Sequence, residues 1–319
     1  MGARGCLSRS EHRQWHPAPG WQILDEMNID SDLARRLVAS QFPQWAHLPV
    51  RPVSHGGWDN RTFHLGDAMT IRLPSAEGYV PQIAKEHRWL PVLAPHLPLP
   101  IPHPIAKGNP GEGYPFPWSL YGWIDGEVAS VAPIADPVEF AIQLAEFISA
   151  LQGIDASDGP APGLHSAYRG GPLTRWDAET RAAIEKLGLS IDGTRVTAVW
   201  DAARAAEWKG EPVWFHGDIG VGNLLLHDGR LGAVIDFGCA GVGDPACDTV
   251  IAWTLFDGAS RAAFRASLPL DPDTWARGRG WALWKAVITL AGHIDAESGG
   301  AAAKTAEAWR ALGAVLEVE

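Results

Sequence analysis

The chain has 319 residues, 46% hydrophobic and 20% charged, a globular composition that excludes a disordered or fibrous protein. Its formal net charge is −11, from 26 basic and 37 acidic residues, which argues against binding nucleic acid or an anionic membrane. At roughly 100–200 residues per domain, two lobes or domains are expected.

Residues 1–26 have no hydrophobic period and read as a disordered leader. Helical spacing over Asp30–Phe42 puts Leu33, Leu37 and Val38 on one face, with Asp30 or Ser31 as N-cap. The runs Val50–His55, Arg61–Leu65 and Met69–Leu73, punctuated by Gly56-Gly57 and Gly66-Asp67, predict a small antiparallel meander. A helix follows over residues 80–93, through Ile83, His87, Leu90 and Leu93. Pro95, Pro98, Pro100, Pro102 and Pro104 exclude its continuation, and strands are predicted at Ile105–Ala106 and Trp118–Ile124.

Beyond Asp125-Gly126 the pattern is mainly helical, over Pro137–Leu151, Thr174–Leu187, Thr194–Trp208, Asp244–Phe256, Asp273–His293 and Ala301–Val315. One β island interrupts it at Val213–Phe215, Asn223–His227 and Leu231–Ile235, with Asp228-Gly229 as a hairpin turn. The class is therefore α+β. We expect a first lobe at 27–122, a hinge at 123–127 and a second lobe at 128–319. The first 126 residues carry 11 basic and 11 acidic residues, so the whole −11 lies in Glu127–Glu319, with 15 and 26. That acidity is either a solvated helical surface or a field that attracts a cationic small molecule.

Cys6, Cys239 and Cys247 are too few and too widely spaced for a disulfide framework or a thiolate zinc site. A reducing cytoplasm is expected. Of the sixteen tryptophans, Trp200, Trp214, Trp253, Trp281 and Trp284 have apolar neighbours and are assigned to the core. Trp58 and Trp123 lie on a loop and at the hinge, where ligand contact and core packing are both open.

The β island holds the residues that carry chemistry. Asn223 falls five residues after Asp218, and the hairpin returns Asp236 beside Asn223. Phosphoryl transfer from a nucleotide needs such a set. One Asp accepts the proton of the attacking hydroxyl, while an Asn and a second Asp offer hard oxygens to Mg2+. The spacings match the Asp-x-x-x-x-Asn and Asp-Phe-Gly patterns of kinases.

On these residues the sequence resembles the aminoglycoside phosphotransferase family, antibiotic kinases with a protein-kinase-like fold. The resemblance rests on WFHGDIGVGNLLL (Trp214–Leu226) and AVIDFGCAGVGDPACD (Ala233–Asp248). GGWDNRTFHL, TIRLP and the hinge-like PWSLYGWIDGE (Pro117–Glu127) support it. It implies a two-lobe fold, with a small antiparallel-sheet N-lobe and a larger, mainly helical C-lobe. It implies Asp218 as catalytic base, Asn223 and Asp236 as magnesium ligands, and ATP or GTP as phosphoryl donor. His216 is given a supporting structural role. Asp244 is read as the cap of the next helix, with direct metal binding as the alternative.

Gly56 and Gly57 would either cover the phosphates or form an ordinary hairpin turn, and Gly122, Trp123 and Ile124 would meet the nucleotide base. The family's phosphate-binding Lys, paired with a Glu on the next helix, falls at Arg72 and Glu86. Arginine holds phosphate oxygens through two donors but requires a different pairing with Glu86. Asp257, Asp295 and Glu297, at helix ends of the acidic lobe, are either solvated surface acids or carboxylates that would meet a cationic acceptor. An aminoglycoside is the family's default acceptor and a macrolide the next. A metabolic kinase with a sugar, choline-like or homoserine-like acceptor, and a non-catalytic nucleotide-binding protein, are the alternatives.

Overall fold

Residues 28–53, 59–293 and 299–317 are described by a computed structural model of the chain. The predicted leader and Gly56, Gly57, Trp58, Asp295 and Glu297 lie outside them. In the first lobe, α1 (Ser31–Gln41) starts at the predicted cap, where the Asp30 carboxylate accepts the amides of Asp32 and Leu33. Leu33, Leu37 and Val38 turn inward, as their spacing requires, to share a core with Phe63, Leu65, Ile71 and Leu120.

Five antiparallel strands form the sheet beneath α1. They are β1 (Val50–Pro52), β2 (Asn60–Leu65), β3 (Met69–Pro74), β4 (Pro104–Gly108) and β5 (Trp118–Gly122), in the order β1-β2-β3-β5-β4. The register sets Arg72 of β3 between Thr62 and Ser119. Between β3 and β4 runs α2 (Val80–Leu93), which buries Leu90 and Leu93 in the core of the second lobe. Its Lys85 and Glu86 are buried as well.

Residues 123–126 lead from β5 to β6 (Glu127–Val128), which already pairs with the second lobe. That lobe contains α3 (Pro137–Gln152), α4 (Asp177–Leu187), α5 (Gly193–Ala205), α6 (Ile251–Thr254), α7 (Gly258–Ser267), α8 (Pro272–His293) and α9 (Gly299–Leu316). The longest of these, α8, is buried on several sides, with Trp275, Trp281, Leu283, Trp284 and Val287 inside. Such a helix serves as the centre of a lobe rather than its surface. All five tryptophans assigned to the core are buried.

Some expectations need correction. The β island divides into two ribbons. Of these, β7 (Val213–Phe215) pairs with the three-residue β10 (Gly241–Gly243), whereas β8 (Leu224–His227) and β9 (Arg230–Val234) pair with each other and with β6. The predicted helix over Asp244–Phe256 is a 3-10 turn at Pro245–Val250 followed by the single turn of α6. Close packing on α8 accompanies that tighter winding. A side chain at Gly278 would meet Thr249 Oγ1 at 1.8 Å, so only glycine lets the two segments approach. The predicted helix over Thr174–Leu187 likewise opens with a 3-10 turn at Leu173–Trp176 before α4.

Candidate active site

Strand β7 ends at Phe215 and runs directly into His216-Gly217-Asp218. Gly217 has φ +84°, and a Cβ there would lie 2.7 Å from the Cys239 carbonyl oxygen, so the loop requires glycine at this point. The buried His216 ring donates from Nε2 to the Ile235 carbonyl (3.1 Å) and accepts the Asp218 amide at Nδ1 (3.2 Å). A ring committed on both nitrogens holds the loop to the residue that follows β9, a structural role. Asp248, fully buried, accepts the amides of His216 and Gly217, each at 2.7 Å. Burial pushes its carboxyl above the usual range, against the opposing pull of His216 and the two amides. Sequence reasoning gave Asp248 no role. Its signal was an acid inside the apolar run Ala246–Val250 with no neighbouring base.

The three catalytic candidates meet at the mouth of the β8–β9 hairpin. The Ile235 amide donates to the Asn223 carbonyl (2.9 Å), which closes the hairpin and sets Asp236 beside Asn223. Asn223 Nδ2 donates to the Asp218 carbonyl (2.9 Å) and to Asp218 Oδ2 (3.1 Å). Asp236 sits in the left-handed region at φ +67°, a conformation that costs a non-glycine residue energy and recurs at functional sites.

Burial alone would raise the Asp218 carboxyl. The charges of Lys285 and Arg169 outweigh it and hold the group below the usual carboxylate range, ionised at neutral pH. Because Asn223 spends its amide nitrogen on Asp218, its Oδ1 is left free of hydrogen bonds among the described residues. With Asp236 it offers two hard oxygens. No group of three His, Cys, Asp or Glu suited to a metal occurs among the described residues. Two protein oxygens supplemented by phosphates and water fit Mg2+, which keeps most of its shell outside the protein.

Arg72 links the two lobes. Its Nη1 lies 3.4 Å from each Glu86 carboxylate oxygen, and its Nη2 donates to Asp236 Oδ1 at 3.2 Å. Burial disfavours the charge, but Glu86 and Asp236 hold the guanidinium firmly protonated. The Tyr121 hydroxyl also donates to Glu86. This is the different pairing that an arginine at this position requires, with one planar fork spanning two acids. Replacing Arg72 with Ala is expected to weaken nucleotide binding about 10–100-fold by calorimetry, the scale of a hydrogen bond to a charged group. Arg72→Lys should fall between, since an ammonium cannot span both carboxylates. A lysine variant no better than the alanine one would count against the charge as the binding element.

Two further residues were not foreseen. Lys85 Nζ lies within hydrogen-bonding distance of the Gly238 carbonyl (2.7 Å), the Ala240 carbonyl (2.8 Å) and His165 Nδ1 (3.1 Å), so α2 is fastened to the segment after Asp236. Burial lowers this ammonium to about 8. Asp59, hydrogen-bonded by Gln82, is pushed up to about 7 by burial and then by the charge of Asp236.

At the hinge, the Gly122 amide donates to His103 and the Trp123 amide to Ala68, so neither is available to a base. Ile124 has no backbone acceptor among the described residues. The Trp123 ring packs against His64 at 4.2 Å and its Nε1 donates to Asp125. Asp244 is a cap, as read: it accepts the Ala246 amide and pairs with Arg277 of α8 through both oxygens, which leaves little for a metal. Asp257 precedes α7, bonded to Ser260, and the structure shows no contact between it and Asp218.

The sequence pattern of the phosphotransferase enzyme family matches residues 49–281, more than half of the chain. The chain therefore belongs to that family. Among curated proteins it is similar to the uncharacterized protein YcbJ of Bacillus subtilis (strain 168), with 28% identity over 195 residues. That match covers 59% of this chain and 58% of YcbJ, so the chain spans less than two thirds of that relative. The fold is similar to that of the GDP and kanamycin complex of APH(2")-IIIa, with TM-score 0.64 and 21% identity over 88% of this chain and 97% of the other. It is also similar to macrolide 2'-phosphotransferase MphH from Brachybacterium faecium, with TM-score 0.54 and 22% identity over 89% and 97%. The two-lobe, kinase-like fold is the one the resemblance implied.

Proposed function

We propose that the protein transfers the γ-phosphoryl group of ATP or GTP to a hydroxyl of a small molecule, with Mg2+ as cofactor. The observation that carries this reading is the hairpin that joins Asp218, Asn223 and Asp236, with Asn223 Nδ2 bonded to Asp218. Asp218 accepts the acceptor's proton, and Asn223 fixes the orientation of that carboxylate. Asn223 Oδ1 and Asp236 would hold Mg2+, which when bound neutralises charge on the phosphates. Arg72, anchored by Glu86, adds a second positive charge on the nucleotide side. The fold neighbours are described as complexes with GDP, ADP and ATP, which supports a nucleotide donor.

Other neighbours are described with kanamycin, streptomycin and gentamicin, and two are macrolide 2'-phosphotransferases. They support an antibiotic-like acceptor, aminoglycoside first and macrolide second. A metabolic alcohol is the second reading, and one observation favours it: Lys285 places a cation beside Asp218. A cytoplasmic location belongs to the same proposal, as does the exclusion of nucleic-acid and membrane partners. No helix among the described residues is long and apolar enough to cross a membrane.

Transfer from γ-labelled ATP and GTP across a panel of antibiotics and metabolic alcohols tests the reading. Turnover is expected to vanish with EDTA, return with Mg2+, and fall at least about 100-fold in Asp236→Asn. Nucleotide binding without transfer to any acceptor would sink it.

A further inference from the structure

The two carboxylate oxygens of Asp218 face different neighbours. Oδ2 accepts Asn223 Nδ2, on the side of the hairpin that also carries Asp236. Oδ1 lies 3.7 Å from Lys285 Nζ, which reaches in from α8. Among the described residues no hydrogen bond engages Oδ1, so it is the oxygen left to receive the acceptor's proton. The Lys285 ammonium stands beside it, with no hydrogen-bond acceptor among those residues. The two side chains are 47% and 44% exposed, Lys285 and Asp218 respectively, so the ammonium is open to an incoming molecule.

A second cation lies behind the first. The Arg169 guanidinium stacks on Trp284 at 4.6 Å and Trp281 at 5.2 Å, with Nη1 buried and unpartnered. Its charge acts on Asp218 together with that of Lys285. Asp248 and Asp59 also act on Asp218, but among the described residues Asp218 is the acid that pairs with Lys285, and Asp257 is engaged at the start of α7. The −11 of the chain is a sum over all its charged groups, whose distant members are screened beyond about 8–10 Å, whereas an ammonium at 3.7 Å acts well inside that length.

We propose that Lys285 determines acceptor specificity by receiving a carboxylate that lies next to the phosphorylated hydroxyl, so that the acceptor is a hydroxy acid and not a polyamine. The proposal rests on the small-molecule kinase reading above and chooses between its acceptors. Without acceptor, Lys285 pairs with Asp218 and weakens it as a base. An acceptor carboxylate takes the ammonium over and frees Oδ1 for the hydroxyl. An acceptor amine at the same place would meet two positive charges.

The test uses acceptors built on one pyranose ring and differing in charge, glucose, glucuronate and glucosamine, together with homoserine and kanamycin. Transfer from γ-labelled nucleotide is measured for the wild type, Lys285→Ala and Lys285→Glu, with nucleotide affinity and thermal melting recorded for each. The wild type is expected to favour the carboxylate-bearing acceptors by at least tenfold in kcat/KM. Lys285→Ala should erase that preference and Lys285→Glu reverse it. Preference for kanamycin or glucosamine, unchanged in Lys285→Glu, would overturn the proposal while leaving the kinase reading intact. No transfer to any acceptor, with nucleotide still bound, would remove the kinase reading and the proposal together. A fall in nucleotide affinity or melting temperature in Lys285→Ala, with acceptor ratios unmoved, would make Lys285 a nucleotide or structural residue and also overturn it.

Discussion

Asp218→Asn is expected to lower kcat about 10²–10⁴-fold, the range that a positioned general base contributes, while nucleotide affinity stays within a few-fold of the wild type. The amide matches the carboxylate in size, so the loop held by His216 and Asp248 keeps its shape. What is lost is a group able to accept the acceptor's proton. The loss corresponds to about 3–5 kcal/mol of transition-state stabilisation. Lys285 and Arg169 keep the wild-type carboxylate ionised at neutral pH, so the comparison needs no correction for its protonation there. Steady-state rates and nucleotide calorimetry on the same preparation separate the two effects. A variant within about tenfold of the wild-type rate would remove Asp218 from the chemistry. Equal losses in kcat and affinity would instead point to a collapsed loop.

The meeting of the three candidate residues was legible because it is local. Asp218, Asn223 and Asp236 lie on one hairpin whose turn, Asp228-Gly229, takes positive φ at both residues, 51° and 75°. Strand alternation and one tight turn were enough to bring the three together. Residues that reach the site from distant elements were not legible. Lys85 comes from α2, Lys285 from α8 and Asp248 from a turn beyond the hairpin, and no sequence period connects them to Asp218. Charge counting could not show Lys285 for the same reason, since a lobe total cannot say which side chain stands within 4 Å of a carboxylate. The hinge is a different case. Whether Gly122 and Trp123 offer their amides depends on pairing with His103 and Ala68, and side chains do not reveal backbone register. The helix α7 was missed because it buries only Ser260 and Phe264, too few for a helical period.

Asp244→Ala is expected to cost about 3–5 kcal/mol of stability, because it strands a buried charge. Asp244 and Arg277 are 5% and 4% exposed and joined by Nε–Oδ2 at 2.6 Å and Nη2–Oδ1 at 3.1 Å. With the acid gone, the guanidinium keeps, among the described residues, only Thr274 as a hydrogen-bond partner and Trp208 as a ring contact. The Asp244→Ala, Arg277→Met double variant should recover much of the loss, since removing both charges removes the burial penalty that the single variant exposes. Urea midpoints of the two single variants and the double one measure the coupling, and strict additivity would mean the pair is not an anchor. The consequence extends to catalysis. Asp244 caps the turn in which Asp248 holds the amides of His216 and Gly217, so loosening the cap loosens the support of the Asp218 loop. Assayed below its unfolding transition, Asp244→Ala should therefore lose rate without a matching loss of nucleotide affinity. A destabilised variant that kept full kcat would show the turn and the loop to be mechanically independent.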